Sequence, residues 1–462
     1  MNSMGSMNMQ RDLLLILPQL LLLLTAMLVL VAEMLRWRRL ALGLMLLGLA
    51  AAGAVAAGQL GPPTTVFAGT FRVDALSRWA VLLLAPAAAL CGLLVRQELG
   101  GTPREGTVYS LLVFGTLGAA LLAGSGDVMF LVLGLLMNSL SGFALAAYSK
   151  TKAGTEGALK YFIYGTVTTA ILIFGLTYWV GVSGTTLLTG LGQAGLPPLA
   201  LAFGYVALLA GLGYAASLFP FHFWTPDTFE GSPVSVAAYL SVVPKIGALF
   251  ALAQVGRSLP ASPVAWPLVL AGLAVASMTF GNVVALLQRN VVRLLAYSTI
   301  AQAGYFLLAV VAVPTGAAGA ERALIIFGAA YVAMNMGAFA IVLSTGRELA
   351  DFGRLGRRRL WTGAALSLFL FSLVGIPPLA GFLGKLLLFE AALAAGYTWL
   401  AVAAVLNSVI SLAVYLRVIA VVYFGKAPTA SEHITMGAWP GQVVIAVCLL
   451  VTVALLFGLH LL

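Results

Sequence analysis

A helix crosses a hydrocarbon core of about 30 Å only with about 20 largely apolar residues in a row, since nothing in lipid can satisfy an open backbone. This chain supplies such a run fourteen times, at residues 13–35, 40–60, 75–95, 107–124, 127–148, 158–182, 198–230, 233–256, 264–288, 291–313, 321–345, 361–391, 398–424 and 440–461. Of its 462 residues, 62% are hydrophobic and 8% charged, against about 25% charged in soluble domains. The chain therefore reads as an all-α membrane protein, one polytopic domain over 1–462. The polar start MNSMGSMNMQRD leads into an apolar run too long for a cleaved signal peptide, so that run is read as the first span. Cys91 and Cys448 lie in apolar runs without ligand spacing, which argues against disulfide, haem and iron–sulfur roles. The net charge of +10 does not point to nucleic acid, because the basic residues fall in short loops between spans.

Those loops are not equal. One alternating set carries Arg36, Arg38, Arg39, Arg96, Arg104, Lys150, Lys152, Lys160, Arg289, Arg293, Arg347, Arg354, Arg357, Arg358, Arg359 and Lys426; the other carries only Arg11, Arg72, Arg257 and Arg322. Basic loops stay on the cytoplasmic side, so the first set is expected there, with both termini outside. Arg78 and Arg417 lie near span ends, where snorkelling to the headgroups is expected.

Two spans are anomalous. Residues 198–230 carry Pro220 and Pro226, and residues 361–391 carry Gly375-Ile376-Pro377-Pro378. Proline removes a backbone donor and clashes with the preceding turn, and such breaks survive at membrane depth only inside protein or beside a wet cavity. They fall in helices 7 and 12, the fourth of each of two five-helix blocks, helices 4–8 and 9–13, that enter the membrane from opposite sides. Paired broken helices in opposed blocks mark an inverted-repeat transporter. The expected divisions are 1–106 for helices 1–3, 107–256 and 264–424 for the repeats, and 440–462 for the last helix.

Charges at membrane depth default to function. Lys245 is twelve residues into its span, about 18 Å at 1.5 Å per residue, and Lys385 is also mid-span. Buried lysines can exchange a proton near neutral pH and so suit a relay, although a purely structural pairing is the alternative. His222, beside the break in helix 7, suits a relay equally well as it suits a hydrogen bond to freed backbone. Tyr297, Ser298, Thr299, Gln302 and Tyr305 form a polar run in helix 10, able to order a water chain or simply to bond helices together. Glu390 is an exit candidate or a polar span end. Asp227 and Glu230 belong to the mouth of helix 7, with a solvated helix end as the blander reading. No nucleotide loop, catalytic triad or metal cluster is present, so energy for transport has to come from a partner or an ion gradient.

The stretches PFHFWTPDTFEGSPVSVAAYLSVVPK (220–245), LKYFIYGTVTTAILIFGL (159–176), RLLAYSTIAQAGY (293–305) and GIPPLAGFLGK (375–385) closely resemble the antiporter-like subunit N family of bacterial NADH–quinone oxidoreductase, respiratory complex I, over essentially the whole chain. The resemblance implies proton translocation along a polar axis. It places a helix-8 lysine at Lys245, a terminal helix-12 lysine at Lys385 and a helix-7 histidine at His222, with Gln302 where a helix-10 histidine is often found. It also implies a helix-5 glutamate paired with a helix-7 lysine. Here those positions read Leu136 (LGLLMNSLS) and Ala215 (GLGYAASLFPFH). Losing both is physically coherent, since one alone would be stranded. Ala215 is expected to be the counterpart of Lys385 in the other block, and Asn138 lies about 200° round the helix from Leu136 and is not an obvious substitute.

The implied function is a membrane-arm subunit of a redox-driven proton pump in the bacterial inner membrane. The alternatives are an Mrp-type cation/proton antiporter subunit or a non-pumping structural subunit of the same complex. The resemblance implies no cofactor in this chain, with NADH, FMN, iron–sulfur clusters and quinone in partner subunits, and antiporter-like neighbours in the membrane arm.

Overall fold

The computed structural model describes residues 9–103, 105–190, 197–259, 265–426 and 438–457; Arg104, the side chains of Arg38 and Arg39, and residues 458–461 of the last expected span lie outside them. In chain order the α-helices are α1 Met9–Leu15, α2 Leu17–Met34, α3 Arg38–Gly58, α4 Ala75–Leu99, α5 Glu105–Ala123, α6 Val128–Ala146, α7 Lys152–Ser183, α8 Pro198–Ala216, α9 Thr225–Gly231, α10 Val234–Arg257, α11 Trp266–Ala285, α12 Val291–Ala312, α13 Ala320–Thr345, α14 Leu355–Arg358, α15 Leu360–Val374, α16 Ala380–Ala394, α17 Thr398–Phe424 and α18 Trp439–Phe457. Among the described residues, twelve helices are long and apolar enough to cross a membrane. Adding the span made of α15 with α16, and the shorter α18, gives the fourteen expected; α9 continues α8 as the second half of span seven.

Helix starts follow their caps. The Asp127 carboxylate accepts from Phe130 N at 2.8 Å to open α6, and the Asn290 side chain accepts from Arg293 N at 3.1 Å to open α12, satisfying a first-turn N–H that has no intrahelical partner. Asp74 and Ser77 form a reciprocal capping box at α4. The caps of α6 and α12 correspond: each is the second helix of its block, and each cap residue forms an isolated bridge to a later loop, Asp127 to Leu187 and Asn290 to Glu348. The helix before each cap packs closely on the helix after it. A Cβ on Gly118 of α5 would lie 2.5 Å from Asn138 N, and one on Gly281 of α11 would lie 2.6 Å from Ala301 N, so only glycine permits these crossings.

The two breaks also correspond. The chain leaves α8 through Ser217 (φ 58°) and α15 through Gly375 (φ 92°). Leu218 N then donates to Gly213 O at 2.8 Å, and Ile376 N donates to Phe371 O at 3.1 Å, a left-handed C-terminal turn in both. Pro220 lies in the first break, and Pro377 with Pro378 in the second. Pro226 does not interrupt a helix: it occupies the first turn of α9, where its missing N–H has no intrahelical partner to lose.

α10 is buried along its length, and α12 and α13 nearly so, whereas α3, α7 and α17 turn large apolar side chains outward, among them Leu47, Phe174 and Val409. One element was not anticipated. Residues 64–73 form an antiparallel hairpin, β1 Thr64–Val66 with β2 Phe71–Val73. Arg78, in the first turn of α4, is 6% exposed and donates to the loop carbonyls of Gly61 and Pro62. Arg417, half-buried, donates to the carbonyl of Leu286, which ends α11. Both guanidiniums satisfy carbonyls, in a loop or at a helix end, that lack helical partners.

Candidate functional site

Lys245 sits in the middle of α10, directly after Pro244, which cannot donate to the preceding turn. It is 1% exposed, and its Nζ has no hydrogen-bond partner among the described residues. Its neighbours are ring faces instead: the Trp224 centroid at 4.5 Å and the Phe229 centroid at 5.6 Å. Trp224 is held in turn. Its Nε1 donates to Tyr214 O at 3.1 Å, a carbonyl beside the end of α8, and its ring stacks on Tyr161 at 4.0 Å. An ammonium over a desolvated indole gains about 2 kcal/mol, less than the several kcal/mol that burying the charge costs. Lys245 is thus held in place without being electrostatically satisfied.

Lys385 is buried too, at 2% exposed, but it is partnered. Its Nζ donates to Val374 O at 2.9 Å and reaches Ser408 Oγ at 3.5 Å, and it lies 3.8 Å from the Tyr305 ring centroid. Val374 is the last residue of α15, so the ammonium sits at the negative end of a helix dipole that the break leaves open. The Tyr305 hydroxyl is 3.0 Å from Ser408 Oγ.

A line of polar side chains runs between the two lysines. One turn before Lys245, Ser241 O accepts from the Tyr331 hydroxyl at 2.9 Å, and Ser241 Oγ accepts from Asn335 Nδ2. Tyr331 continues to Thr299 Oγ1 at 3.3 Å. Gln302, one turn on from Thr299 along α12, donates to Leu373 O at 3.2 Å at the second break, and Tyr305 follows one turn later. Sequence reasoning found the α12 residues of this line but missed Tyr331, Asn335 and Ser408. The available signal was polar residues four apart, Tyr331 and Asn335, in an otherwise apolar span.

The remaining candidates separate. His222 is 2% exposed and sits inside the first break, ringed by Phe219 at 5.5 Å, Phe223 at 4.8 Å and Phe280 at 4.6 Å, with its Nδ1 unpartnered among the described residues; the break's backbone is tied elsewhere, by Phe219 N donating to Ser277 Oγ. Tyr297 is half-buried beside Phe280, on the side of α12 away from Thr299. Glu390 is exposed on α16. Asp227 pairs with Lys160 at 2.6 Å and Arg293 at 2.7 Å, and Arg293 also takes Glu230 at 2.7 Å, so the mouth carboxylates tie α7, α9 and α12 together. Leu136 is half-buried and Ala215 buried. Ala215 precedes its break whereas Lys385 follows its own, so the two are not equivalent by backbone position, contrary to the expectation from block order. Asn138 is occupied, donating to Gly115 O at 2.9 Å.

Both ends of the lysine helix are clamped. Glu98 of α4 accepts from Val234 N and Ser235 N, each at 2.8 Å, at the start of α10, where an anion is favoured. At the other end Asp74 accepts from Gln254 Nε2 at 2.8 Å and pairs with Arg257 at 2.6 Å. Among the described residues, no group of three or more His, Cys, Asp or Glu could hold a metal. The arrangement offers buried amines, hydroxyls and amides in file, a chemistry suited to passing protons.

The family described as NADH:quinone oxidoreductase/Mrp antiporter, TM, matches residues 125–411. The chain is 38% identical over 390 residues to NADH-quinone oxidoreductase subunit N of Sphingopyxis alaskensis, covering 82% of this chain and 81% of that one. It is 36% identical over 393 residues to F(420)H(2) dehydrogenase subunit N of Methanosarcina mazei, covering 80% and 79%. A chain of respiratory complex I from Thermus thermophilus superposes with a TM-score of 0.82 at 31% identity, covering 96% of this chain and 97% of that one.

Proposed function

The chain belongs to the NADH:quinone oxidoreductase/Mrp antiporter family of membrane subunits, and from that premise we propose that it is the membrane-arm subunit of a redox-driven NADH–quinone oxidoreductase that moves protons through Lys245 and Lys385. The observation carrying this reading is the polar file from Ser241 through Asn335, Tyr331 and Thr299 to Gln302, Tyr305 and Ser408, with a buried lysine at each end. An inert core of this size would be filled with apolar groups, which pack without the cost of desolvating two amines. His222 serves the first break as a second titratable group, and Glu390 marks the outer end of α16, toward an exit. The breaks at Pro220 and at Gly375, Pro377 and Pro378 let half-helix ends face the file, as in an inverted-repeat transporter of blocks 107–256 and 264–424.

The subunit works in the bacterial inner membrane with its basic loops cytoplasmic and its termini outside. Its neighbours are other antiporter-like subunits of the membrane arm. The redox groups, FMN, iron–sulfur clusters and quinone, act in partner subunits. An Mrp-type antiporter shares the family, but the relatives' names favour the oxidoreductase. A non-pumping role in the same complex is favoured by one observation, Leu136 and Ala215 at the positions of the missing charge pair. The test is Lys385→Ala in the assembled complex, with protons pumped per NADH oxidised as the readout. A lower ratio at retained electron transfer supports transport through this subunit, and an unchanged ratio assigns it the structural role.

A further inference from the structure

We propose that the seam between α4, α13 and α18 is a binding site for one anionic phospholipid with a hydroxylated head group, seated at the basic-loop end of the molecule. At that end a cavity of about 300 Å³ is lined by Gln97 of α4, Ser344 of α13, Arg359 and Thr362 at the start of α15, and Gln442 of α18. Deeper along the same three helices lies a second, apolar cleft of about 330 Å³, lined by Leu82 and Leu93 of α4, Ala333 of α13 and Val447 of α18 among others. The two adjoin. Leu93 and Gln97 are four residues apart, about 6 Å along α4, and the cleft follows α4 back to Leu82, about 16 Å further. That is roughly half of a hydrocarbon core of about 30 Å, the reach of acyl chains in one leaflet.

The chemistry of the upper cavity selects the head group. Arg359 lines it, with Arg354, Arg357 and Arg358 exposed alongside, and none of the described lining residues is acidic. The nearest carboxylates of α4 and α5 are engaged: Glu98 at the start of α10, and Glu105 with Arg96 and Tyr109. Basic pockets between helices at this depth suit phosphate. Gln97 Oε1 is buried with no hydrogen-bond partner among the described residues. A Cβ at Gly441 would lie 2.1 Å from it, so the glycine leaves the amide room to reach the cavity. That oxygen needs a donor, which a lipid phosphodiester lacks and a glycerol head group supplies. Trp361, 86% exposed, and Trp439, 64% exposed, stand at the same end, the placement of an aromatic belt at headgroup level.

The experiment uses the full-length chain, delipidated in detergent and offered an equimolar mixture of phosphatidylglycerol and phosphatidylcholine, with retained lipid counted by native mass spectrometry. Phosphatidylglycerol is retained selectively. Arg359→Gln lowers its retention about fivefold, the worth of one arginine near a lipid surface, and Ala333→Phe, which fills the cleft, lowers it at least as much; Ala89→Phe gives the same reading should Ala333→Phe not fold. Arg322→Gln, at the opposite end, leaves retention unchanged. Equal retention of the two lipids, retention undisturbed by both Arg359→Gln and the cleft variant, or displacement by inorganic phosphate alone would overturn the proposal, the last by showing a free-anion site.

Discussion

Replacing each buried lysine by methionine should separate the two in stability while costing both their transport. Methionine keeps the length of the side chain and removes only the amine. At Lys245 the amine has no hydrogen-bond partner among the described residues and touches two rings. Removing it forfeits about 2 kcal/mol of cation–π attraction and relieves a buried-charge cost of several kcal/mol. The net expectation for Lys245→Met is a gain of about 1–3 kcal/mol. At Lys385 the amine satisfies Val374 O at 2.9 Å at the open end of α15. Lys385→Met strands that carbonyl, which costs about 1–3 kcal/mol, forfeits the Tyr305 ring contact and removes a cation from a helix C-terminus. Its desolvation relief is offset, so it should be neutral to destabilising. Thermal unfolding of the two variants in the same detergent gives the comparison, and proton uptake by proteoliposomes of the assembled complex gives the function. Lys245→Met is expected to unfold at a higher temperature than the parent, Lys385→Met at the same or a lower one, and both to lose pumping. The reverse order of stabilities would refute the claim that one lysine is unsatisfied and the other is paired.

Trp224→Phe should retain most of the pumping and Trp224→Leu little of it, because a phenyl ring still offers a face to Lys245; proton uptake at equal NADH oxidation reads the difference. Asn335→Leu removes the donor to Ser241 Oγ and interrupts the file without touching either lysine, so protons per NADH should fall while the unfolding temperature changes by no more than the loss of a buried hydrogen bond, about 1 kcal/mol. Glu98→Ala uncaps α10 at Val234 and Ser235 and should cost about 1–2 kcal/mol of stability, seen as a lower unfolding temperature; Glu98→Gln, which still accepts a hydrogen bond, should recover part of it.

Fourteen spans, their order and the two breaks were readable from the chain because lipid enforces a simple rule: apolar length makes a span, and proline opens it. The buried lysines were readable for the same reason, since charge at membrane depth stands out against any apolar background. Tertiary structure decided what each charge faces. Nothing in the order of residues says that Lys245 meets Trp224 and Phe229 rather than a carboxylate, or that Lys385 meets the carbonyl of Val374, because those partners lie on other helices or across a break and meet only when the bundle closes. The same holds for Tyr331, Asn335 and Ser408, whose partners lie on other helices, and for Arg78, whose guanidinium meets the loop carbonyls of Gly61 and Pro62. Pattern along a chain reports one helix against its solvent. The polar file is a property of the surfaces that the solvent no longer reaches, and only packing assigns those.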